Sequence, residues 1–405
     1  MKLTRQQLLD DLRQAYYDAR RHKRNRPYQI WFERQSECNL RQLCDELYAR
    51  TYQPKPSSCF IITDPKKREV FAAEFRDRIV HHLYYNYVHT LLERTFIHDS
   101  YSCIKGRGTH FGVKRLDRHI RSCSHNYQLP CFVLKMDIRG YFMHIDRNRL
   151  ESILWQRLWQ MHCHKVSKYR RATWEEELDY DFLQYLTHLI VQVNPKEHCK
   201  IKGERSDWDD LPHDKSLFHT PAGCGLPIGN LTSQLFSNVY LNELDQYVKR
   251  TLHCRHYGRY VDDFYIVGNC RSELTGLIAP IRGFLSEKLG LQLHEGKTTI
   301  YPIERGVPFL GAFVKPYRNY VDNQTVDRMD AKLYQMQLRG ARVTGVQKRQ
   351  FAGYLQAALN SFAGVLSHGR SSHLRHWLLR QRHDFTPYGC WSSDGRRFET
   401  YSPFS

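Results

Sequence analysis

Two adjacent aspartates, Asp262 and Asp263, interrupt a stretch that otherwise reads as β structure. Cys254–Val261 precedes them and Phe264–Val267 follows, both rich in aromatic and β-branched residues. Asp is a common turn residue, so the local reading is a hairpin tip, and a Tyr-x-Asp-Asp tetrapeptide at residues 260–263 carries little by itself. Upstream, the apolar run Cys131–Met136 has the pattern of a buried strand and ends directly in Asp137. Strands that end in carboxylates can gather acidic groups at one sheet edge. Magnesium takes a few hard oxygen ligands, and two such ions about 3.5–4 Å apart can activate an attacking oxygen and stabilise a leaving one. The spacing therefore points to a sheet built to present carboxylates to metal ions.

Charge narrows the partner. The 405 residues carry 61 Lys and Arg against 42 Asp and Glu, a net charge of +19. That excess attracts polyanions, and nucleic acid fits best because each neutralised phosphate releases counterions. At this length two or three compact units are expected, and a 41% hydrophobic, 13% aromatic composition excludes wholesale disorder. The 12 cysteines form no CxxC pair; His162-Cys163-His164 and His198-Cys199 could in principle meet at a metal, but a reduced, intracellular protein with free thiols is the expected state. The N-terminal residues lack the apolar core of a signal peptide and no apolar stretch reaches membrane-spanning length, so the chain is expected in the cytoplasm, without membrane contact.

Along the chain, the first twenty residues read as an amphipathic helix followed by a basic stretch, Arg20–Arg26, suited to phosphate. A second helix is expected at Asn39–Tyr48, a strand at Cys59–Thr63 and a long helix over Phe71–Phe96. Residues 151–218 read as helical segments and then a loop insertion. Helical pattern returns from Leu231, a single helix is expected around Ser272–Leu289, and helices follow Val326. From Asp384 the chain reads as irregular.

These segments stand in the order of the reverse transcriptase motifs. Pro65–Val70 with Phe75–Val80 resembles the first block, Asp99–Thr109 the second, Lys135–Phe142 motif A, Gly225–Gln234 motif B, Tyr260–Asp263 motif C, Leu293–Thr298 motif D and Phe309–Gly311 the primer grip. The resemblance implies an α+β right-hand polymerase: N-terminal helices and fingers over 1–130, a ferredoxin-like palm over 131–320 with the insertion at about 151–218, a helical thumb over 321–383 and the tail 384–405. It also implies an RNA-directed DNA polymerase, a nucleotidyltransferase using two Mg2+ ions, with Mn2+ a possible substitute. Asp137, Asp262 and Asp263 would be its catalytic carboxylates, with the carbonyl of Ile138 beside the metals. Lys66, Arg68, Tyr141, Phe142, Ile228, Gln234 and Lys297 would bind the nucleotide, and Gly229, Asn230, Phe309, Leu310 and Gly311 the primer and template. Phe142 would exclude the ribose 2′-hydroxyl, with Tyr141 as its rival, and Lys297 would assist the leaving pyrophosphate.

Motif B narrows the resemblance. Ile228 stands where group II intron and retron enzymes usually carry Gln, and Gln234 where they carry Pro. The chain is thus similar to the reverse transcriptases of diversity-generating retroelements; Lys215–Phe218, Phe236–Asp245 and Asn360–Gly364 agree. Such an enzyme copies a template-repeat RNA with its structured flanks into cDNA from a primer and dNTPs, errs opposite adenine, and serves mutagenic retrohoming. It works with a small, oligomeric accessory variability protein, in bacteria or encoded by a phage in a bacterial host. The alternatives are a retron, group II intron-like or antiviral reverse transcriptase and, from another class, a non-catalytic RNA-binding scaffold.

Overall fold

A computed structural model of the chain describes residues 3–21, 26–64, 66–163, 179–367 and 371–401. The centre of the basic stretch, residues 22–25, lies outside them, as do Pro65 and His164, and the side chains of His162 and Cys163. Every described cysteine is a free thiol. No described helix is long and apolar enough to cross a membrane.

The chain divides into two compact units, one of residues 1–106, 136–264 and 276–298, the other of 107–135, 265–275 and 299–405. A four-stranded sheet has the order β5–β6–β3–β7, formed by Tyr257–Tyr260, Asp263–Gly268, Phe132–Asp137 and Thr299–Pro302. β3 and β6 are its inner strands, and their polypeptide passes from one unit to the other. β3 alternates little: Val133, Leu134 and Met136 are all fully buried, as a strand covered on both faces requires.

In the first unit, the helix Leu231–Gln246 is buried nearly all round, including the polar Ser237, Asn238, Asn242 and Asp245. It packs against the helices Phe75–Glu93, Arg147–Cys163 and Ile278–Leu289. A helix buried on every side needs partners for its polar groups, and those partners define the site described below. The expected single helix at 272–289 is two, Arg271–Gly276 and Ile278–Leu289. Gly276 ends the first, and Pro280 is tolerated in the first turn of the second, where no N–H is needed.

A three-stranded sheet of the same unit has the order β2–β1–β4. β1 (Ser57–Ile62) runs antiparallel to β2 (Arg68–Ala72), with Cys59 opposite Phe71. β4 (Cys199–Ile201) comes from the stretch expected to be a loop insertion, and pairs parallel with β1, Ser57 opposite Cys199. That stretch is therefore structural where it was expected to be irregular. Glu69, 1% exposed, fastens it: its carboxylate accepts from Trp208 Nε1 at 2.7 Å, Ser216 Oγ at 2.8 Å and the Leu217 amide at 2.6 Å.

In the second unit, β8 (Val307–Phe309), β9 (Ala312–Lys315) and β10 (Arg318–Val321) form a meander. The helices Asn323–Gly340 and Gly345–Leu366 close on Met329, Leu333, Met336, Phe351, Leu355 and Leu359. The tail expected to be irregular carries a hairpin, β11 (Gly389–Trp391) with β12 (Phe398–Thr400). Asn360 holds it at both polar ends, donating to the Phe398 carbonyl at 3.0 Å and accepting from its amide at 2.7 Å. Phe398 itself is 1% exposed in the helical core.

Candidate active site

Asp137 is the last residue of β3, and Asp262 lies in the two-residue turn between β5 and β6. The chain beyond Asp137 stays paired: Ile138 faces Leu293 in an antiparallel bridge, with the Arg139 amide on the Gln292 carbonyl at 2.9 Å and the His294 amide on the Asp137 carbonyl at 2.8 Å. Neither of those bonds uses the carbonyl of Ile138, whose residue is 1% exposed. A short 3-10 turn, Glu295–Lys297, then swings Lys297 back, and its Nζ sits 3.1 Å from both carboxylate oxygens of Asp137.

Electrostatics ties Asp262 to this pair. Burial pushes its carboxyl up to about 6, and the negative charge of Asp137 pushes the same way. The charges of Lys297 and Arg68 oppose the rise. Two carboxylates are thus drawn together with too little water, and cationic side chains offset their repulsion. Asp263 begins β6 and is half-buried. Among the described residues no group of three or more His, Cys, Asp or Glu side chains is arranged to hold a metal ion. The donor chemistry nevertheless suits a divalent cation. Asp137 and Asp262 supply hard oxygens whose repulsion a dication would relieve, and an ammonium already takes that part against Asp137.

Around this pair the sequence candidates separate. Tyr141 is 2% exposed, and its hydroxyl donates to the Ser237 carbonyl at 2.6 Å. Phe142 is half-buried against Cys59, Phe71, Met143 and Leu217, and Ile228 packs against the same cluster. The Ile228 carbonyl accepts from the Phe71 amide at 2.8 Å. Gly229 follows at φ +131, where a Cβ would come within 2.7 Å of the Phe71 carbonyl oxygen, so only glycine lets the two segments approach this closely. Asn230 is buried, its Oδ1 accepting from the Ala73 amide at 3.4 Å, while Gln234 is exposed on the helix that follows. Lys66 and Arg68 are both exposed, and it is the charge of Arg68 that reaches Asp262.

In the second unit, Phe309 is 1% exposed and packs edge-on against Tyr265, with ring centroids 5.1 Å apart. Leu310 and Gly311, at φ +52 and +78, form the two-residue turn to β9. Positive φ at both positions is what a type I′ hairpin requires.

The sequence reading passed over Arg259 and Asp245, a fully buried ion pair at 2.6 Å beneath the Asp262 turn. The signal was present: a lone arginine in the strand Tyr257–Tyr260 and an aspartate on the core helix must find each other or leave charge unpaired. Glu69 was missed for the same reason, as an acid at an inward-facing strand position.

Residues 54–314 match the family described as Reverse transcriptase (RNA-dependent DNA polymerase). Protein YkfC of Escherichia coli (strain K12) is 24% identical over 306 residues, covering 67% of this chain and 70% of that protein. Among solved structures, apo telomerase from Candida tropicalis lacking its C-terminal domain aligns with a TM-score of 0.47 at 12% identity, over 67% of this chain and 56% of that one. Telomerase from Candida albicans with a fragment of telomeric RNA aligns with a TM-score of 0.44 at 11% identity, over 84% and 58%. The chain thus spans a little over half the length of these telomerase chains. With well over half of its residues inside the matched segment, the chain belongs to the reverse transcriptase (RNA-dependent DNA polymerase) family.

Proposed function

We propose that the chain copies a template-repeat RNA into error-prone cDNA, as the polymerase of a diversity-generating retroelement. The observation that carries polymerisation is the Asp137–Asp262 pair, desolvated, like-charged and faced by Lys297. Asp137 and Asp262 would hold the metal ions, with Asp263 as the third carboxylate and the Ile138 carbonyl alongside. Two Mg2+ ions, or Mn2+, would activate the primer hydroxyl and stabilise the leaving pyrophosphate when bound. Arg68 and Lys66 grip the triphosphate. Lys297 neutralises Asp137 in the metal-free site and would assist the leaving pyrophosphate. The buried Tyr141 hydroxyl is already spent on Ser237, which leaves the half-buried Phe142 ring to meet the sugar.

Ile228 and Phe142 lean on one apolar floor. Ile offers the templating pair no donor or acceptor, so discrimination there rests on shape. An apolar pocket separates similar shapes by only about 1–3 kcal/mol, far less than a site that hydrogen-bonds its substrate. This supports the error-prone reading. The template-repeat RNA, its flanks and a small oligomeric accessory protein are the partners this function requires.

The test is to sequence cDNA made by the wild-type enzyme and by Ile228→Gln on one template-repeat RNA. The expected result is frequent misincorporation opposite adenine by the wild type, reduced in the variant more than total synthesis is. Faithful copying of adenine by the wild type, with its accessory protein present, overturns the retroelement assignment.

A further inference from the structure

Val261 is β-branched and stands at φ +55, in the left-handed region. Such residues avoid that region and persist there only when their surroundings hold them. Val261 and Asp262 are together the two-residue turn joining β5 to β6, so whatever holds Val261 also aims Asp262.

The holder is Arg259. Its side chain is fully buried, and each of its five N–H groups has an acceptor. Nε donates to Asp245 Oδ1 at 2.7 Å and Nη2 to Asp245 Oδ2 at 2.6 Å, a bidentate pair. Nη2 also reaches Ser100 Oγ at 3.4 Å, and Nη1 reaches Asn238 Oδ1 at 3.3 Å. The remaining N–H, on Nη1, holds the carbonyl of Val261 at 3.0 Å. The anchor is itself fixed. Asp245 accepts from Tyr257 at 2.6 Å, Asn238 donates to the Ser102 carbonyl at 2.7 Å, and the Arg259 main chain is bonded on both sides, to Asp99 and Tyr101.

Asn238 and Asp245 lie seven residues apart on the helix Leu231–Gln246, two turns along one face. The same helix accepts the Tyr141 hydroxyl at Ser237. The segment after Asp137 and the turn carrying Asp262 are therefore tied to one rigid element, over residues 237–245.

A buried ion pair alone says little about function, since an apolar pair of equal volume often stabilises a fold as well. What an apolar pair cannot do is hold the Val261 carbonyl. We infer that Arg259 is a positioning residue: it clamps the Val261–Asp262 turn to the Leu231–Gln246 helix and so sets the Asp262 carboxylate against Asp137. This rests on the polymerase function proposed above.

Two variants separate the clamp from the ion pair. Arg259→Lys keeps a charge for Asp245 but has too few donors, on one short head, to reach Asn238, Ser100 and Val261 as well. The paired change Arg259→Met with Asp245→Leu removes both charges and leaves neither orphaned. In each, thermal unfolding reports the fold, electron paramagnetic resonance reports Mn2+ binding without substrate, and single-nucleotide extension gives kcat and KM for dNTP. A turn displaced by an ångström predicts a kcat lower by about 100-fold, a KM within a few fold of wild type and weakened Mn2+ binding, in protein that still unfolds cooperatively. Adding Val261→Asn to Arg259→Lys recovers part of kcat, because Asn accepts the left-handed region that Val resists; a general loss of packing would not respond. The inference is overturned if folded Arg259→Lys, or the folded paired variant, keeps wild-type kcat and Mn2+ affinity while the wild type is active. If the wild type itself neither extends primers nor binds Mn2+, the polymerase reading fails first and the clamp falls with it.

Discussion

Asp262→Asn should stabilise the metal-free protein, and only above a defined pH. The folded carboxyl sits at about 6 against an ordinary aspartate value of about 3.9, because the site is desolvated and Asp137 is near. At 1.36 kcal/mol per pKa unit, the ionised form costs the folded state up to about 3 kcal/mol, and about 1–3 kcal/mol once the half-buried position is discounted for solvent. The folded-state value lies above the unfolded one, so the folded protein binds the extra proton. The cost is therefore absent below about pH 4, grows between about pH 4 and 6, and is complete above. Asn carries no charge at any pH, so unfolding temperatures of variant and wild type in EDTA should coincide near pH 4 and diverge above pH 6. The gap should be several degrees, at about 2–4 °C per kcal/mol for a domain of this class. Mg2+ or Mn2+ should narrow the gap at pH 8, because a ligand that binds only the folded wild type stabilises it by mass action. A gap independent of pH, or a variant less stable than wild type at pH 8 in EDTA, would refute this reasoning about the carboxylate pair.

Phe142→Ala should raise incorporation of rCTP relative to dCTP on one template; an unchanged ratio would remove Phe142 from sugar selection. Gly229→Ala should cost several kcal/mol of stability or abolish extension, since its Cβ would sit 2.7 Å from the Phe71 carbonyl oxygen at a φ of +131; urea unfolding measures this, and wild-type behaviour would contradict the packing described. The affinity for RNA should fall with salt by about 0.7–0.9 log units per tenfold change for each phosphate neutralised. Filter binding across salt concentrations checks it, and a flat dependence would deny the +19 charge its expected part.

What the sequence displayed, and what it hid, divides by distance along the chain. The strand ending in Asp137, the hairpin around Asp262 and the helix from Leu231 were legible because periodicity and turn chemistry are local. β4 was not, since its strand character comes from pairing with β1, some 140 residues away, and a three-residue strand has no period to read. The hairpin at 389–400 was hidden in the same way, with Asn360 supplying the polar partners that its own residues lack. At the site, Asp137 and Asp262 could be placed by motif, but the reach of Lys297 to Asp137 depends on the pairing of Ile138 with Leu293. The Arg259–Asp245 pair was only half legible, since the sequence shows a lone charge on a strand and another on a core helix but packing decides that these two meet.

Primer extension on an RNA template with dNTPs and Mg2+, comparing wild type with Asp262→Asn at equal folded concentration, tests the central claim most directly. The wild type should extend the primer to the template end. The variant should be slower by orders of magnitude while binding the same RNA with unchanged affinity, because in the proposed function the carboxylate serves phosphoryl transfer and not strand capture. Extension by Asp262→Asn at the wild-type rate, or its absence from the wild type with template-repeat RNA and accessory protein supplied, would contradict the account.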